Sequence, residues 1–324
     1  MPQPTVLMTA GLMPMIQEQL EANFEVHRYD RADDREALLA EIGDRVIGVC
    51  HGGHAMHVDG ALMDRLPNLK LVSNFGVGYD GVDTAAARTR GIIITNTPDV
   101  LTEEVADTAL GLLIMTVREL PQARDYLHAG RWAKEGDYRL TPLSLRDRSI
   151  GIIGLGRIGK AIAKRCEGFG LAISYMGRRQ QDGVPYPYYP TAEKLAEAVD
   201  TLICITPGTA ETLNLVNAPV LEALGPRGVL INVSRGSVVD EAALMNALRD
   251  GTIAAAGLDV MVGEPNINPE LMQFDNLVLL PHVASASQYT RNRMGQLVVD
   301  NLLALKNEQP PLSPVPETPF EAWK

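Results

Sequence analysis

The stretch Ser149–Arg165, SIGIIGLGRIGKAIAKR, decides how the chain is read. Its first five residues form an apolar strand pattern, and from Arg157 onward apolar and small residues recur at helical spacing. Between them stands Gly154-Leu155-Gly156-Arg157-Ile158-Gly159, a G-x-G-x-x-G placed at a strand-to-helix turn. Gly154 permits the tight turn, Gly156 lets a pyrophosphate approach the backbone, and Gly159 lets helix and strand pack closely. Amides at the helix start then face the phosphates. A glycine-rich turn without a ligand is the plain alternative. The strand before and the helix after favour a dinucleotide.

Such a unit normally carries an acid about twenty residues in, at the end of its second strand, to hold the ribose hydroxyls. Here the second strand pattern, Leu171–Met176 (LAISYM), is followed by Gly177, Arg178 and Arg179. A carboxylate at that point would repel a ribose 2′-phosphate, whereas two guanidiniums bind it through charge-assisted hydrogen bonds. The turn therefore predicts NADP(H), with NAD(H) as the weaker cofactor. A solvated surface turn is the competing reading of so polar a segment.

Working outward, strand and helix patterns alternate. TVLMTA, VIGVC, LKLVSN and GIIIT read as strands before the fingerprint, with amphipathic segments such as DREALLAEIG and DTAAARTRG between them. After it come LAISYM, TLICIT, GVLINV, AAAGLDV and LVLLP. This alternation predicts parallel sheets built from crossover units: an α/β chain of two doubly wound, Rossmann-like domains with a cleft between them. Two long helical patterns begin near Thr102 and Ser287, and the chain is expected to cross between domains there. Thr102 suits an N-cap, Glu103 and Glu104 suit the positive end of a helix dipole, and Pro121 kinks the helix or ends its first segment.

The 324 residues suffice for two domains. A net charge of −11 disfavours nucleic acid as a partner. The three cysteines, Cys50, Cys166 and Cys204, are too few and scattered for a disulfide framework, which points to a reducing, cytoplasmic setting. No signal peptide and no membrane-spanning run is read.

Chemistry concentrates at strand ends. Arg235 follows GVLINV within VLINVSRGSVVDE (Val229–Glu241), where ligands of open α/β sheets bind. It suits either a two-bond grip on a small carboxylate or a structural ion pair with Asp240 or Glu241. GLDVMVGEP holds Asp259 and Glu264, and LVLLPHVASAS places His282 directly after a strand. A histidine exchanges protons near neutral pH and works best beside a carboxylate, for which Glu264 is the candidate. A capping histidine on a surface loop is the bland alternative. Cys50, His51, His54 and His57 crowd one stretch, but their spacing matches no standard zinc site, so no metal is expected.

Taken in order, GLGRIGKAIAKR, NVSRGSVVDE, GLDVMVGEP and PHVASAS, with SNFGVGYDGVD, the Thr102 helix and GRW upstream, resemble the D-isomer-specific 2-hydroxyacid dehydrogenases over nearly the whole chain. The resemblance implies roles residue by residue. His282 is the proton donor and acceptor, Glu264 its carboxylate, and Arg235 the anchor of the substrate's carboxylate and carbonyl. Backbone amides around Val77 and Gly78 bind that carboxylate, and Phe75, His51 to His54 and Leu101 shape the pocket. Thr206, Pro207, Val233, Asp259 and Ser285 lie along the cofactor. The implied domains are residues 1–98 with 288–324 for substrate and 99–287 for cofactor, in a homodimer to which Trp132 adds either packing or a reach into the neighbour's pocket.

Within the family, ISYMGRR is similar to the NADPH-preferring glyoxylate and hydroxypyruvate reductases, including the hydroxyphenylpyruvate-reductase branch. This implies reduction of small 2-oxo acids to D-2-hydroxy acids, with a bulkier 2-oxo acid such as hydroxyphenylpyruvate or 2-ketogluconate as the alternative substrate. A non-catalytic nucleotide sensor on the same scaffold is a further alternative. Formate dehydrogenases place an amide where Glu264 stands. Phosphoglycerate dehydrogenases commonly keep the ribose acid and often carry a regulatory extension, and neither is seen here.

Overall fold

The computed structural model describes residues 3–52, 56–146 and 148–323. Within these the chain forms two compact units, one running to Leu101 and resuming at Ser287, the other spanning Thr102–Ala286.

The first unit holds strands β1 (Thr5–Met8), β2 (Glu25–Arg28), β3 (Val46–His51), β4 (Leu71–Asn74) and β5 (Ile93–Thr95). All pair in parallel in the order β2-β1-β3-β4-β5. Side chains alternate along each strand, so each face builds its own core. Leu7, Val49, Val72 and Ile94 pack with Leu39, Ile42, Leu62 and Met63 on one face. Val6, Met8, Cys50, Leu71 and Ile93 pack with Ile16, Leu20, Val298 and Leu302 on the other. The helix Gln288–Lys306 lies so close to β3 that a Cβ on Gly48 would stand 2.8 Å from Leu302 Cδ2.

The second unit holds β6 (Ser149–Ile153), β7 (Ala172–Met176), β8 (Tyr188–Tyr189), β9 (Thr201–Cys204), β10 (Val229–Asn232), β11 (Ala255–Leu258) and β12 (Leu277–Leu279). They form one parallel sheet in the order β12-β11-β10-β9-β6-β7-β8. The order reverses between β6 and β9, which opens a crevice beyond their carboxyl ends. One face is covered by the helices Ala192–Ala198, Ala218–Leu224 and Glu241–Arg249. The helix Thr102–Arg118 lies against β11, where a Cβ on Gly257 would stand 2.5 Å from Thr116 Oγ1.

Three local features depart from the sequence reading. Thr102 is the first helical residue rather than its cap, and it follows the buried Leu101. The helix ends at Arg118 and a new one begins at Leu120, with Glu119 between them at φ 50°. Pro121 has no N–H to give Val117, so the first helix stops short of it. Strands β2 and β8 were not expected. Each borders only one other strand: β2 is half-buried throughout and β8 has two residues, so neither carries an alternating pattern.

Candidate active site

Strand β6 runs into Gly154, whose φ of 103° suits glycine. A Cβ there would stand 2.8 Å from Ile205 O at the end of β9, and one on Gly159 would stand 2.2 Å from Gly154 O. These two glycines therefore serve the close approach of turn, strand and helix. Gly156 differs, since a Cβ on it would meet nothing within 4 Å. It is the N-cap of the helix Arg157–Gly168 and brings no side chain to cap it. The turn thus presents bare backbone at a helix N-terminus, the arrangement that fits a pyrophosphate. Leu155 puts its side chain in the core, Ile158 is half-buried and Arg157 is exposed.

Gly177, Arg178 and Arg179 follow β7, next to β6 in the sheet, and both arginines are exposed. The turn is pinned in place. Tyr188 donates its hydroxyl to Gly177 O at 3.3 Å, and the Gln181 amide donates to the hydroxyl of the buried Tyr175 at 2.8 Å. Gln181 Nε2 donates to Leu155 O at 2.8 Å and so ties the basic turn to the glycine turn. Nothing in the sequence marked Gln181, because the contact depends on β6 and β7 being neighbours. The Glu211 carboxyl is held below its usual range, mainly by the Thr209 hydroxyl and in smaller part by the Arg178 charge.

Beyond β9 lie Thr206 and Pro207, then Gly208, where a Cβ would stand 2.9 Å from Arg235 Cγ. The stem of Arg235 therefore packs against the turn after β9. Arg235 is set by the buried Asn232, whose side chain accepts from Ser234 N and Oγ at 3.0 and 2.6 Å and donates to Arg235 O at 2.9 Å. Arg235 itself is half-buried and gives Nη1 to Ser234 O at 2.8 Å, while Val233 is buried. Asp240 caps the helix Glu241–Arg249 through Ala243 N, and Glu241 accepts from Val262 N, so both acids have backbone partners.

His282 stands after β12 with φ 54°, a left-handed conformation uncommon outside glycine. Its amide donates to Asp259 O at 2.9 Å. Its Nδ1 meets Glu264 Oε2 at 2.7 Å, and Glu264 Oε1 accepts from Met261 N at 2.7 Å. The His282 side chain is about a quarter exposed and that of Glu264 less. Asp259 is 1% exposed, and its two oxygens accept from Val283 N at 2.7 Å and Ala284 N at 2.9 Å. Burial raises the Asp259 carboxyl above its usual range, and the two amides pull it back in part. Asp259 thus braces the backbone that carries His282, a positioning role that its sequence context did not suggest. Ser285 is half-buried three residues further on.

The first unit holds the remaining candidates. Phe75, Val77 and Gly78 are half-buried in the loop after β4, and the Arg291 guanidinium lies 5.4 Å from the Phe75 ring centre. Phe75 and Arg291 line a cavity of about 260 Å³ with Leu12 and Met13. Leu101 and His51 are buried instead, with His51 Nδ1 2.8 Å from Thr9 Oγ1. His54 lies outside the described residues. Among the described residues no group of three histidines, cysteines or acids could hold a metal. The three cysteines are buried and unpaired with one another, and burial pushes each thiol up to about 12. Among the described residues, no helix is long and apolar enough to cross a membrane.

Residues 110–284 match the NAD-binding domain of the D-isomer-specific 2-hydroxyacid dehydrogenases. The chain is 42% identical to glyoxylate/hydroxypyruvate reductase A of Arabidopsis thaliana over 310 residues, covering 96% of this chain and 98% of that one. It is also 42% identical over 313 residues to hydroxyphenylpyruvate reductase of Plectranthus scutellarioides, at 96% and 98% coverage. Among solved structures it is similar to an NADPH-dependent glyoxylate/hydroxypyruvate reductase from Sinorhizobium meliloti in complex with NADP and malonate. That likeness has 56% identity, a TM-score of 0.94 and 98% coverage of both chains. Fold, glycine turn and relatives agree: the chain belongs to the D-isomer-specific 2-hydroxyacid dehydrogenases, NAD(P)-using oxidoreductases that act on CH–OH groups and reduce 2-oxo acids.

Proposed function

We propose that the chain reduces small 2-oxo acids, glyoxylate and hydroxypyruvate, to D-2-hydroxy acids with NADPH in preference to NADH. The observation that carries this reading is the His282–Glu264 pair at 2.7 Å, a proton donor held by a carboxylate in a unit that also carries Arg235 and the glycine turn. When bound, the reduced nicotinamide supplies a hydride to the carbonyl carbon. Gly154, Gly156 and Gly159 admit the pyrophosphate, and Arg178 and Arg179 take the 2′-phosphate. Thr206, Pro207, Val233, Asp259 and Ser285 line the rest of the cofactor.

The residues' own work follows from charge. Negative charge grows on the carbonyl oxygen as it is reduced, and Arg235 stabilises it. Glu264 accepts from Nδ1 of His282, so the proton passes to the substrate from Nε2. The amides of Val77 and Gly78 bind the substrate's carboxylate. The apolar side chains exposed on the second unit, Leu127, Trp132 and Leu140, support a homodimer formed through that unit. The buried thiols, held protonated at neutral pH, suit a reducing cytoplasm.

A second substrate reading has a specific observation behind it. The hydroxyphenylpyruvate reductase is as similar to this chain as the glyoxylate/hydroxypyruvate reductase is. The test is initial-rate oxidation of NADPH and of NADH with glyoxylate, hydroxypyruvate and hydroxyphenylpyruvate. The proposal expects rapid NADPH oxidation with the two small acids. Turnover confined to hydroxyphenylpyruvate would favour the second reading, and equal use of NADH would remove the cofactor preference.

A further inference from the structure

We infer that Asn74 and Asn96 are positioning residues that aim two backbone amides, those of Val77 and Gly78, at the carboxylate of the substrate. The inference rests on the reaction proposed above, but its evidence lies wholly in the first unit.

The turn Gly76–Gly78 follows β4. Asn74, the last residue of that strand, is 5% exposed, and its Nδ2 donates to Gly76 O at 3.2 Å and to Gly78 O at 2.9 Å. Asn96 follows the neighbouring strand β5, and its Nδ2 donates to Val77 O at 2.9 Å. Gly76 O also accepts from Thr97 N at 2.9 Å. Three successive carbonyls are thus held from the side of the sheet. A peptide group is planar and trans, so its carbonyl and its amide point in opposite directions. Fixing Gly76 O directs the Val77 amide away from Asn74 and Thr97, and fixing Val77 O directs the Gly78 amide away from Asn96. Among the described residues no acceptor takes either amide. Two adjacent N–H groups left without an acceptor on a half-buried turn form a concave donor pair of the kind that binds a carboxylate.

Residue type is decisive at both positions. All three contacts need a donor facing carbonyls, which an amide provides and an aspartate does not. Asn96 is itself held by the C-terminal segment, where its amide donates to Ser313 O at 3.3 Å and its carbonyl accepts from Ser313 Oγ at 2.7 Å. The turn is also tight: a Cβ on Gly76 would stand 3.1 Å from Gly78 O.

The test uses the full-length chain with Asn96→Ala, Asn96→Asp and Asn74→Ser. Each is assayed for KM and kcat with glyoxylate and NADPH, for inhibition by oxalate, and for NADPH affinity by fluorescence titration. Loss of one hydrogen bond in Asn96→Ala is expected to raise glyoxylate KM and oxalate Ki together, by about tenfold. Asn96→Asp turns an acceptor toward Val77 O and raises both further. Asn74→Ser keeps one short donor and shows the same pattern should the Asn96 variants fail to fold. NADPH affinity stays within about twofold throughout, since the cofactor residues belong to the other unit. Variants with wild-type KM and Ki, in an enzyme that turns over glyoxylate, would overturn this inference and leave the proposed function standing. Equal losses in kcat and NADPH affinity with unchanged KM would overturn it as well, as a structural defect. A wild type that reduces no 2-oxo acid would remove the proposed function, and this inference with it.

Discussion

Replacing Asp259 by asparagine separates the support of His282 from the stability of the fold. Both Asp259 oxygens accept backbone amides, and an asparagine keeps only one acceptor. Ala284 is 5% exposed and Val283 36%, so the cheaper orientation keeps the Ala284 bond and turns the NH2 toward Val283. Water reaches Val283, which places the cost near the bottom of the range for an unmet donor, about 1 kcal/mol. A second effect opposes it. Burial raises the Asp259 carboxyl, so at neutral pH the ionised form carries a penalty that asparagine removes. The two nearly cancel, and the melting temperature should stay within about 3 °C of wild type at pH 7.5.

Activity should not be spared. His282 sits in a left-handed conformation that costs roughly 1–3 kcal/mol where nothing enforces it. With Val283 released, residue 282 relaxes and the imidazole leaves its place against Glu264, so kcat should fall about 10- to 100-fold. The pH dependence has a definite sign. A carboxyl raised on folding contributes stability that is complete below its unfolded pKa and is lost as pH rises through its folded one. Acidification from neutral through that raised range therefore stabilises wild type relative to the variant. Steady-state kinetics and calorimetric scans at pH 7.5 and pH 5 measure both effects. A variant with kcat within twofold of wild type would refute the bracing role, and a stability gap that ignores pH would refute the buried, ionised carboxylate.

Three further outcomes are expected. His282→Ala should abolish reduction of any 2-oxo acid while NADPH still binds, measurable by stopped-flow absorbance and fluorescence titration; substantial residual turnover would place the proton donor elsewhere. Replacing Arg178 and Arg179 together by alanine should lower kcat/KM for NADPH about 30- to 150-fold, the value of two charge-assisted bonds discounted for exposure. NADH should change less than about threefold, and equal losses would remove the phosphate site. Gly159→Ala forces a Cβ to within 2.2 Å of Gly154 O and should lower both melting temperature and dinucleotide affinity, by about 1–3 kcal/mol of overpacking. Gly168→Ala at the other end of the same helix meets nothing within 4 Å and serves as the neutral control.

What the sequence by itself determined is what acts over short range. The G-x-G-x-x-G after an apolar run, the alternation of strand and helix patterns, and the proline after Leu120 are each read within one element, because turn geometry and side-chain periodicity are local. The candidate residues at strand ends were legible for the same reason: Arg235, Asp259 and His282 each follow a run of buried apolar residues. Which residues meet was decided only by the tertiary structure. Glu264 reaches His282 across 18 positions of chain, and Gln181 reaches Leu155 only because β6 and β7 are neighbours. Asn74 and Asn96 grip one turn because β4 lies beside β5. Asp259 shows the limit most plainly. A buried carboxylate near a histidine suggests chemistry from sequence alone, yet its two oxygens go to backbone amides whose positions depend on where β11 and β12 end. Hydrogen bonds between strand ends follow from sheet order and register, and these come from packing summed over the whole core rather than from any one segment.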